Sequence, residues 1–310
     1  QTYKNLEIII IDDNSSDSTP EIIKEYATND DRIKPVFHAK NHGPGNTRNE
    51  GLEMATGDYV TFMDHDDWQA LDKYEKMMAK AAEHDVDVVF CNAQEYLENT
   101  KKARKVYTIP AGFNEGEPIE LDTWEKREKV LPDYLPPWVK IVSRDLVRKH
   151  NIKFSSGDNK FDDGLFHYHA MMVAQTVVYI DDVLYTHRFF PESISGRFLK
   201  KSNVAIESSF HTWNDLEKIC KKERIDPQKV LAVFQKNFSI FSYTAPNSLP
   251  YIKKAQGINN KYGLTETDIP PKFRKHYRKI MHYWWGRKVF DRIRAFVKLN
   301  IRQLKGGKLN

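Results

Sequence analysis

The sequence contains little cysteine and no hydrophobic run long enough to cross a membrane. Only two cysteines, Cys91 and Cys220, occur among the 310 residues. They are far apart and lack the spacing of metal ligands, which predicts reduced, buried thiols in a cytoplasmic protein. The strongly apolar stretches, such as residues 6–11, have the length of a strand rather than of a membrane span. No signal peptide opens the sequence, whose first residue is Gln1 rather than Met.

Internal repeats and low-complexity tracts are also absent, and the composition is that of a globular protein. Hydrophobic residues make up 40% and charged residues 29% of the chain, which argues against disorder and leaves room for one large or two small domains. The formal net charge of +5 is unevenly distributed. Residues 272–310 contain 13 Lys and Arg against one Asp, so this tail carries +12 and the remainder −7.

The basic tail also carries apolar residues at roughly helical spacing, and two interpretations of it remain open. It is either a peripheral anchor on anionic lipid, to which each basic residue adds about 1 kcal/mol, or a C-terminal helix that docks on the acidic body. Binding to nucleic acid is disfavoured, because the body is acidic and no RNA-binding motif occurs. We expect a cytoplasmic protein, with peripheral contact at the inner face of the membrane in the first interpretation.

Strand-like and helix-like segments alternate over the first 90 residues. Strands are predicted at 6–11, 33–37, 58–63 and 86–91, and helices from 18 or 19 onward, over 45–55 and over 71–84. This alternation predicts an α/β fold with an open, largely parallel sheet, whose ligands bind at the carboxyl ends of the strands. The first two acidic clusters of the sequence both fall at such ends.

Further along the chain the pattern weakens and then becomes helical. Residues 101–137 show little periodicity. A strand is predicted at 138–142, a helix at 144–150, and a loop that runs into a helix over 161–174. A hairpin of 177–180 and 183–188, turned at Asp181 and Asp182, follows, with helices near 204–222, 227–243 and 274–304. We therefore predict a catalytic domain over 1–197, a helical region over 198–271 and a basic amphipathic tail over 272–310.

Asp64 and Asp66 lie two residues apart where the third predicted strand ends. As the chain leaves the strand, alternate side chains can converge on one hard cation, which prefers oxygen ligands and can bridge a diphosphate. A bare D-x-D is more often a solvated turn that caps the next helix. The context of strand, D-x-D-D and helix favours the metal interpretation here.

Two further segments carry polar groups at the same predicted edge of the sheet. Asp12 and Asp13 follow the first strand, where a carboxylate can accept a hydrogen bond from a nucleobase N–H or a ribose hydroxyl. Capping of the turn explains them equally well. The Gly-rich turn within residues 40–49 opens a helix and suits the close approach of an anionic ligand, with Arg48 one turn into that helix. The alternative is that this turn only connects two elements.

Asp162 and Asp163 form a later acidic pair, in the segment FDDGLF before a predicted helix. An inverting sugar transfer needs a carboxylate that takes a proton from the acceptor hydroxyl and a cation that neutralises the leaving diphosphate. The sequence offers one candidate for each role. The alternative is that this pair only caps the helix.

Taken together, these segments resemble glycosyltransferase family 2, the inverting enzymes of GT-A fold, many of which build bacterial surface polysaccharides. The resemblance covers residues 1 to about 197 and rests on five segments in order: QTYKNLEIIIIDDNSSDST, NHGPGNTRNEGLEMATGDYVTFMDHDD, WVKIVSRDLVRKHNIKF, FDDGLF and VLYTHRFFPESIS. It implies a Rossmann-like sheet flanked by helices, a helical C-terminal region, and a glycosyltransferase that uses Mn²⁺ or Mg²⁺.

The resemblance also implies roles for individual residues on the donor side. Asp13 would bind the nucleobase, uracil in a UDP-sugar, with Asp12 beside it and Arg48 helping to hold it. Asp66 would ligate the metal, and Asp64 would complete the D-x-D near the ribose and diphosphate.

Roles in the reaction and on the acceptor side are implied as well. Asp163, the second member of its pair, would be the general base. The residues implied on the acceptor side are Trp138, Lys140 and Asp162. The residues implied to reach the diphosphate or the metal are His187 and Arg188. Core packing explains the tryptophan equally well, and a structural role explains the histidine equally well.

The sequence departs from the family at its start, where members carry an apolar strand of the VSVIIPVYN kind that forms part of the nucleotide pocket. A sheet without that strand is expected to have an exposed edge and to bind the donor weakly. We predict an enzyme that transfers a sugar, with inversion, from a UDP-sugar to a carbohydrate acceptor, which a lipid can carry. A nucleotidyltransferase, and a nucleotide- or carbohydrate-binding module without catalysis, are the alternatives.

Overall fold

The computed structural model describes residues 1–105, 113–131, 136–156, 162–190, 202–242, 249–271, 274, 275, 277, 278, 280 and 281. The chain divides into two compact units, residues 1–225 and residues 226–310. The predicted domain boundary at residue 197 and most of the predicted tail lie outside the described residues, so the three-part division stays a prediction. None of the helices in the described part combines the length and the apolarity that crossing a membrane requires.

Two strands and two helices form the N-terminal part of the first unit. They are β1 (Ile8–Asp12), α1 (Thr19–Asn29), β2 (Ile33–Phe37) and α2 (Pro44–Met54). Within the described part of the chain, β1 and β2 run parallel and pair only with each other. The four isoleucines of β1 are half-buried rather than fully buried. Among the described residues, no strand pairs with the second edge of β1.

Proline and glycine determine where these two helices begin. Pro20 and Pro44 stand in the first turns of α1 and α2, where the missing N–H costs no helical hydrogen bond. Gly43 precedes α2 with a φ of +82°, a conformation that other residues adopt only with strain. The backbone conformation by itself therefore explains why the turn before α2 has a glycine at position 43, whether or not an anionic ligand binds there.

A mixed sheet of seven strands forms the centre of the first unit. Its strands are β3 (Tyr59–Val60), β4 (Trp68–Gln69), β5 (Val88–Leu97), β6 (Lys102–Lys105), β7 (Ile119–Glu120), β8 (Lys140–Ser143) and β9 (Thr176–Phe189). The order is β3-β8-β5-β9-β4, with β6 beside β5 and β7 beside β9. Only β5 and β9 run parallel among the described pairs of this sheet. The α/β class is confirmed, but the sheet is mixed rather than largely parallel, because strand direction depends on long-range pairing.

The predicted hairpin over residues 177–188 is wrong. Both halves belong to one strand, β9, which pairs with β5 in the parallel direction from Val177 to Phe189 with one irregularity. The register shifts around Asn92, opposite Asp181 and Asp182, so the two aspartates lie in an irregularity of the strand rather than in a turn. Asn92 donates from its amide to the backbone carbonyl of Asp181 at 2.9 Å, which closes the gap that the irregularity leaves in the ladder.

Helices cover the central sheet of the first unit and make up the described part of the second. In the first unit they are α3 (Lys73–His84), α4 (Trp124–Val130), α5 (Arg144–His150), α6 (Asp162–Val173) and α7 (Ser202–Glu223). In the second unit they are α8 (Pro227–Ser242) and α9 (Leu249–Lys261), followed by a short 3-10 turn at Glu266–Asp268. The predicted helix over 274–304 lies largely outside the described residues.

Candidate functional site

Asp13 follows β1 and holds the turn that precedes α2. Its Oδ1 accepts hydrogen bonds from the backbone N–H of His42 (2.8 Å) and from Nδ1 of His38 (2.7 Å). Its Oδ2 accepts one from the backbone N–H of Gly43 (2.8 Å). Burial by itself would raise the pKa of Asp13, but these hydrogen bonds outweigh it and lower the pKa below its usual value. The predicted nucleobase-binding carboxylate is therefore ionised and held in one orientation.

Asp12 stabilises the loop that follows β1. It is 6% exposed, and its carboxylate accepts a hydrogen bond from the backbone N–H of Ser15 at 3.1 Å. This is the turn-forming role that the sequence left open for the first acidic pair. A contact between Asp12 and the donor stays a prediction.

Arg48, on α2, lies among acidic side chains from two other segments. Its Nη2 donates to Oδ1 of Asp64 at 2.8 Å, and its Nη1 lies 3.6 Å from Oδ1 of Asp163. The ring of Phe154 packs against the guanidinium, with its centroid 5.5 Å from Cζ. Arg48, Asp64 and Asp163, three predicted site residues that are distant in sequence, therefore lie close together.

Asn49, the next residue of α2, was not predicted and stabilises this arrangement. Its amide donates to the backbone carbonyl of Phe154 at 3.0 Å and accepts from the backbone N–H of Phe154 at 2.8 Å. Phe154 is 2% exposed and stacks on Phe166 with ring centroids 4.5 Å apart. The two-way amide bridge thus ties α2 to the segment that supports Arg48.

The acidic loop after β3 is anchored by its last residue, Asp67. This carboxylate is 7% exposed and accepts hydrogen bonds from the hydroxyl of Tyr185 (2.7 Å) and the backbone N–H of Arg188 (2.8 Å). The Tyr185 oxygen in turn accepts from the backbone N–H of Asp64 at 3.2 Å. Burial raises the pKa of Asp67, and the two hydrogen bonds oppose that rise. The loop is consequently tied to β9 at both of its ends.

Asp64 and Asp66 carry carboxylate oxygens, the ligand type that a hard cation prefers. Asp64 uses one oxygen for Arg48, and the carboxylate of Asp66 has no hydrogen bond or ion pair with the described residues. Mg²⁺ takes one or two protein carboxylates and completes its shell with water and phosphate oxygens, and Mn²⁺ prefers the same ligand types. Two carboxylates that retain open coordination positions suit such an ion.

A different cluster could be mistaken for a metal site. Among the described residues, Asp13, His38 and His42 form the one set of three potential ligands whose atoms lie within 4.8 Å of one another. Both ring nitrogens of His38 already face carboxylates, those of Asp13 and Glu50. The His42 ring lies against the His38 ring, with centroids 4.3 Å apart and planes tilted by 32°. We therefore describe this group as an ion-pair cluster.

Trp138 lies inside an aromatic stack. It is 5% exposed and stacks on Tyr185 with centroids 4.3 Å apart and on His187 with centroids 5.8 Å apart. In this conformation Trp138 is covered, and the guanidinium of Arg188 is engaged by Glu98 at 2.9 Å. The predicted contacts of Trp138 with an acceptor, and of His187 and Arg188 with a diphosphate, stay predictions.

Lys140 is also buried, at 1% exposure, with its Nζ 3.1 Å from Nδ1 of His167. Burial lowers the pKa of Lys140 to about 7, and Asp163 opposes that change. Burial, and then the proximity of Lys140, hold the pKa of His167 well below its ordinary value. His167 stands four residues after Asp163 on α6, which places the pair one helical turn from the predicted base. A direct contact of Lys140 with the acceptor stays a prediction.

The structure brings together some predicted residues and adds others. Arg48, Asp64 and Asp163 meet directly, whereas the side chain of Asp162 lies outside the described residues. The positioning residues that the sequence analysis missed are His38, Asn49, Asp67 and Tyr185. Of these, only Asp67 carried a signal, as a third acidic residue beside the D-x-D motif. The others act through contacts with residues far away along the chain.

A model of the family described as Glycosyl transferase family 2 matches residues 1–159, which is more than half of the chain. The chain belongs to glycosyl transferase family 2. The resemblance inferred from the five sequence segments is thereby confirmed. Membership also favours a glycosyltransferase over the nucleotidyltransferase alternative.

Curated relatives of the chain are named glycosyltransferases. EpsH of Bacillus subtilis (strain 168), whose glycosyltransferase name is provisional, is 34% identical over 203 residues, which cover 65% of this chain and 57% of EpsH. The uncharacterized glycosyltransferase YibD of Escherichia coli (strain K12) is 32% identical over 222 residues, covering 68% of this chain and 60% of YibD. This family 2 chain thus spans somewhat more than half the length of these relatives.

Solved structures agree with the fold. S. aureus TarS 1–349 has a TM-score of 0.62 at 23% identity, over 90% of this chain and 82% of that one. Its complex with UDP-GlcNAc has a TM-score of 0.63 at 22% identity, over 90% of this chain and 83% of that one. At these identities the likeness concerns the fold alone, and it confirms the GT-A fold predicted for this family 2 chain.

Proposed function

We propose that this chain transfers a sugar from a UDP-sugar to a carbohydrate acceptor, with inversion at the anomeric carbon. The observation that carries the proposal is the meeting of Asp64 and Asp163 at the guanidinium of Arg48. A candidate donor-side carboxylate and a candidate base thus lie within reach of one side chain. Holding the leaving group and the nucleophile close together is a large part of catalysing a displacement at one carbon.

Asp163 is the proposed general base. Its side chain is 20% exposed, so a hydroxyl group can approach it. A sugar hydroxyl is a poor nucleophile, and a carboxylate that takes its proton while the new glycosidic bond forms lowers the barrier. The hydroxyl attacks the anomeric carbon from the side opposite the leaving diphosphate, so a single displacement inverts the configuration.

Asp66 and Asp64 are the residues that would hold Mn²⁺ or Mg²⁺. When bound, the cation would neutralise negative charge on the leaving diphosphate. Arg48 orients the Asp64 carboxylate, and Asp67 keeps the loop that carries both aspartates attached to β9. These contacts support the assignment because metal ligands in proteins are commonly oriented by neighbouring hydrogen bonds.

Asp13 is the proposed contact with the nucleobase. A carboxylate offers about four acceptor positions, and the hydrogen bonds from His38, His42 and Gly43 occupy three of them. The remaining position suits a single N–H donor, such as that of uracil. TarS, which shares the fold, has been solved with UDP-GlcNAc and with UDP, and this supports a uridine donor.

The same proposal includes a carbohydrate acceptor and contact with a membrane. Trp138, Lys140 and Asp162 are the acceptor-side candidates, and the first two would need a rearrangement to touch a sugar, since both are covered. The tail of residues 272–310, with its net charge of +12, would bind anionic lipid on the cytoplasmic side.

The proposal is tested by measuring UDP release from a panel of UDP-sugars, with and without Mn²⁺, in the presence of saccharide acceptors. We expect release from one UDP-sugar that depends on the cation and that Asp66→Asn reduces. Release that is equal with and without Mn²⁺ would contradict the metal assignment. Failure to bind any uridine nucleotide would contradict the choice of donor.

A further inference from the structure

His38 joins three elements of the N-terminal part of the fold. It follows β2 directly, and its side chain is 7% exposed. Its Nδ1 lies 2.7 Å from Oδ1 of Asp13, which follows β1, and its Nε2 lies 2.8 Å from Oε2 of Glu50 on α2. Neither His38 nor Glu50 is among the site residues predicted from the sequence.

The two hydrogen bonds determine the protonation state of the ring. An ionised carboxylate can only accept hydrogen bonds, and a neutral imidazole carries a single N–H. Both short contacts can therefore exist together only when both ring nitrogens carry hydrogen. The geometry calls for an imidazolium ion between the carboxylates of Asp13 and Glu50.

The groups around His38 favour that cation. The titratable groups that face it among the described residues are the carboxylates of Asp13 and Glu50 and the ring of His42, whose centroid lies 4.3 Å away. The hydrogen bond that His38 donates to Asp13 raises the pKa of His38 above its ordinary value, burial opposes the rise, and the contact with Glu50 adds to it. Charged hydrogen bonds of this kind are also stronger than neutral ones.

Loss of the proton would release one of the two carboxylates. A neutral His38 can donate to Asp13 or to Glu50, and the other contact then places a lone pair against a lone pair. If Asp13 turns away, its hydrogen bonds to the backbone N–H groups of His42 and Gly43 change, and so does the acceptor position that they leave open. The protonation of His38 is thus coupled to the orientation of Asp13.

We propose that His38, as an imidazolium ion bridging Asp13 and Glu50, is a positioning residue that holds the Asp13 carboxylate in the orientation that binds the donor nucleobase. This inference rests on the proposed function. Because His38 is charged in the folded protein, its contacts with Asp13 and Glu50 stabilise the fold fully at a pH below the pKa of an unfolded histidine, about 6.5. This stabilisation is lost as the pH rises through the higher pKa of His38 in the folded protein. Donor binding should weaken in the same direction.

Calorimetric titration with UDP and Mg²⁺, between about pH 6 and pH 8.5, tests the inference on the full chain. The fraction with a protonated His38 holds Asp13 in the orientation that binds the nucleobase, so the apparent Kd of the wild type should rise as the pH passes the His38 pKa, by about tenfold in total. His38→Gln should bind UDP about tenfold more weakly at low pH and lose this pH dependence. In turnover, the KM for the UDP-sugar should rise while kcat stays within about twofold.

Two further variants make the experiment decisive. His211→Gln removes an exposed histidine on α7 and should keep the wild-type pH profile. Glu50→Gln keeps an acceptor at Nε2 but removes its charge, so it should shift the profile to lower pH and lower the His38 pKa in an NMR titration. If His38→Gln fails to fold, the shift of the pH profile of UDP binding in Glu50→Gln tests the inference instead.

The possible outcomes distinguish a failure of the inference about His38 from a failure of the proposed function. UDP binding with the same pH profile in the wild type, His38→Gln and Glu50→Gln would overturn the inference and leave the proposed function standing. A neutral His38 ring at pH 6 in the NMR titration would overturn it as well. Absence of UDP binding by the wild type at every pH would overturn the proposed function together with this inference.

Discussion

Replacing Asp163 with Asn tests the proposed base with the smallest change of shape. The amide has nearly the size of the carboxylate but cannot take a proton from the acceptor hydroxyl. Arg48 keeps its 2.8 Å hydrogen bond to Asp64 and its packing against Phe154. The donor side of the site should therefore keep its structure, and the loss should fall on the transfer step.

The expected size of that loss follows from comparing two contributions. General-base assistance contributes about 10²–10⁴-fold to the rate, or about 3–5 kcal/mol of barrier. The contact between Arg48 and Asp163 is 3.6 Å long, with side chains 19% and 20% exposed. A single long, partly solvated ion pair contributes at most about 1 kcal/mol to stability. We therefore expect kcat to fall at least about a hundredfold and the free energy of unfolding to change little.

The assay combines UDP release for kcat, calorimetry for UDP-sugar affinity and chemical denaturation for stability. Asp162→Asn is the matched control, because the two aspartates are neighbours at the start of α6. Near-wild-type turnover in Asp163→Asn would refute the assignment. A larger loss in Asp162→Asn would exchange the two roles, and a large loss of UDP-sugar affinity in Asp163→Asn would show that the residue serves donor binding.

Three other predictions concern the metal, the acidic loop and the tail. Asp66→Asn should remove most activity and weaken UDP binding only when Mn²⁺ is present, and wild-type affinity with Mn²⁺ would count against the site. Asp67→Ala should destabilise the protein by about 1–3 kcal/mol in urea denaturation, because the buried donors of Tyr185 and Arg188 lose their acceptor; unchanged stability would contradict the anchoring role. Removal of residues 272–310 should abolish binding to vesicles of anionic phospholipid, whereas unfolding or precipitation of the shortened chain would favour a docked helix.

Local pattern was enough to predict most elements and the candidate residues. The apolar run before Asp12 and the prolines at the starts of α1 and α2 act within a few residues, so the periodicity predicts these elements correctly. The D-x-D motif and the Gly-rich turn are equally local. Family membership could therefore be inferred before any contact between distant residues was known, and it is confirmed by the match over residues 1–159.

Tertiary structure alone decided how these pieces meet. The hairpin prediction failed because the turn-like Asp181 and Asp182 lie in a strand whose neighbour, β5, is about ninety residues away. Burial of Lys140 and the bridge made by His38 depend on which distant side chains surround them. Hydrogen bonding and desolvation set these properties, and both depend on contacts that a linear pattern does not encode.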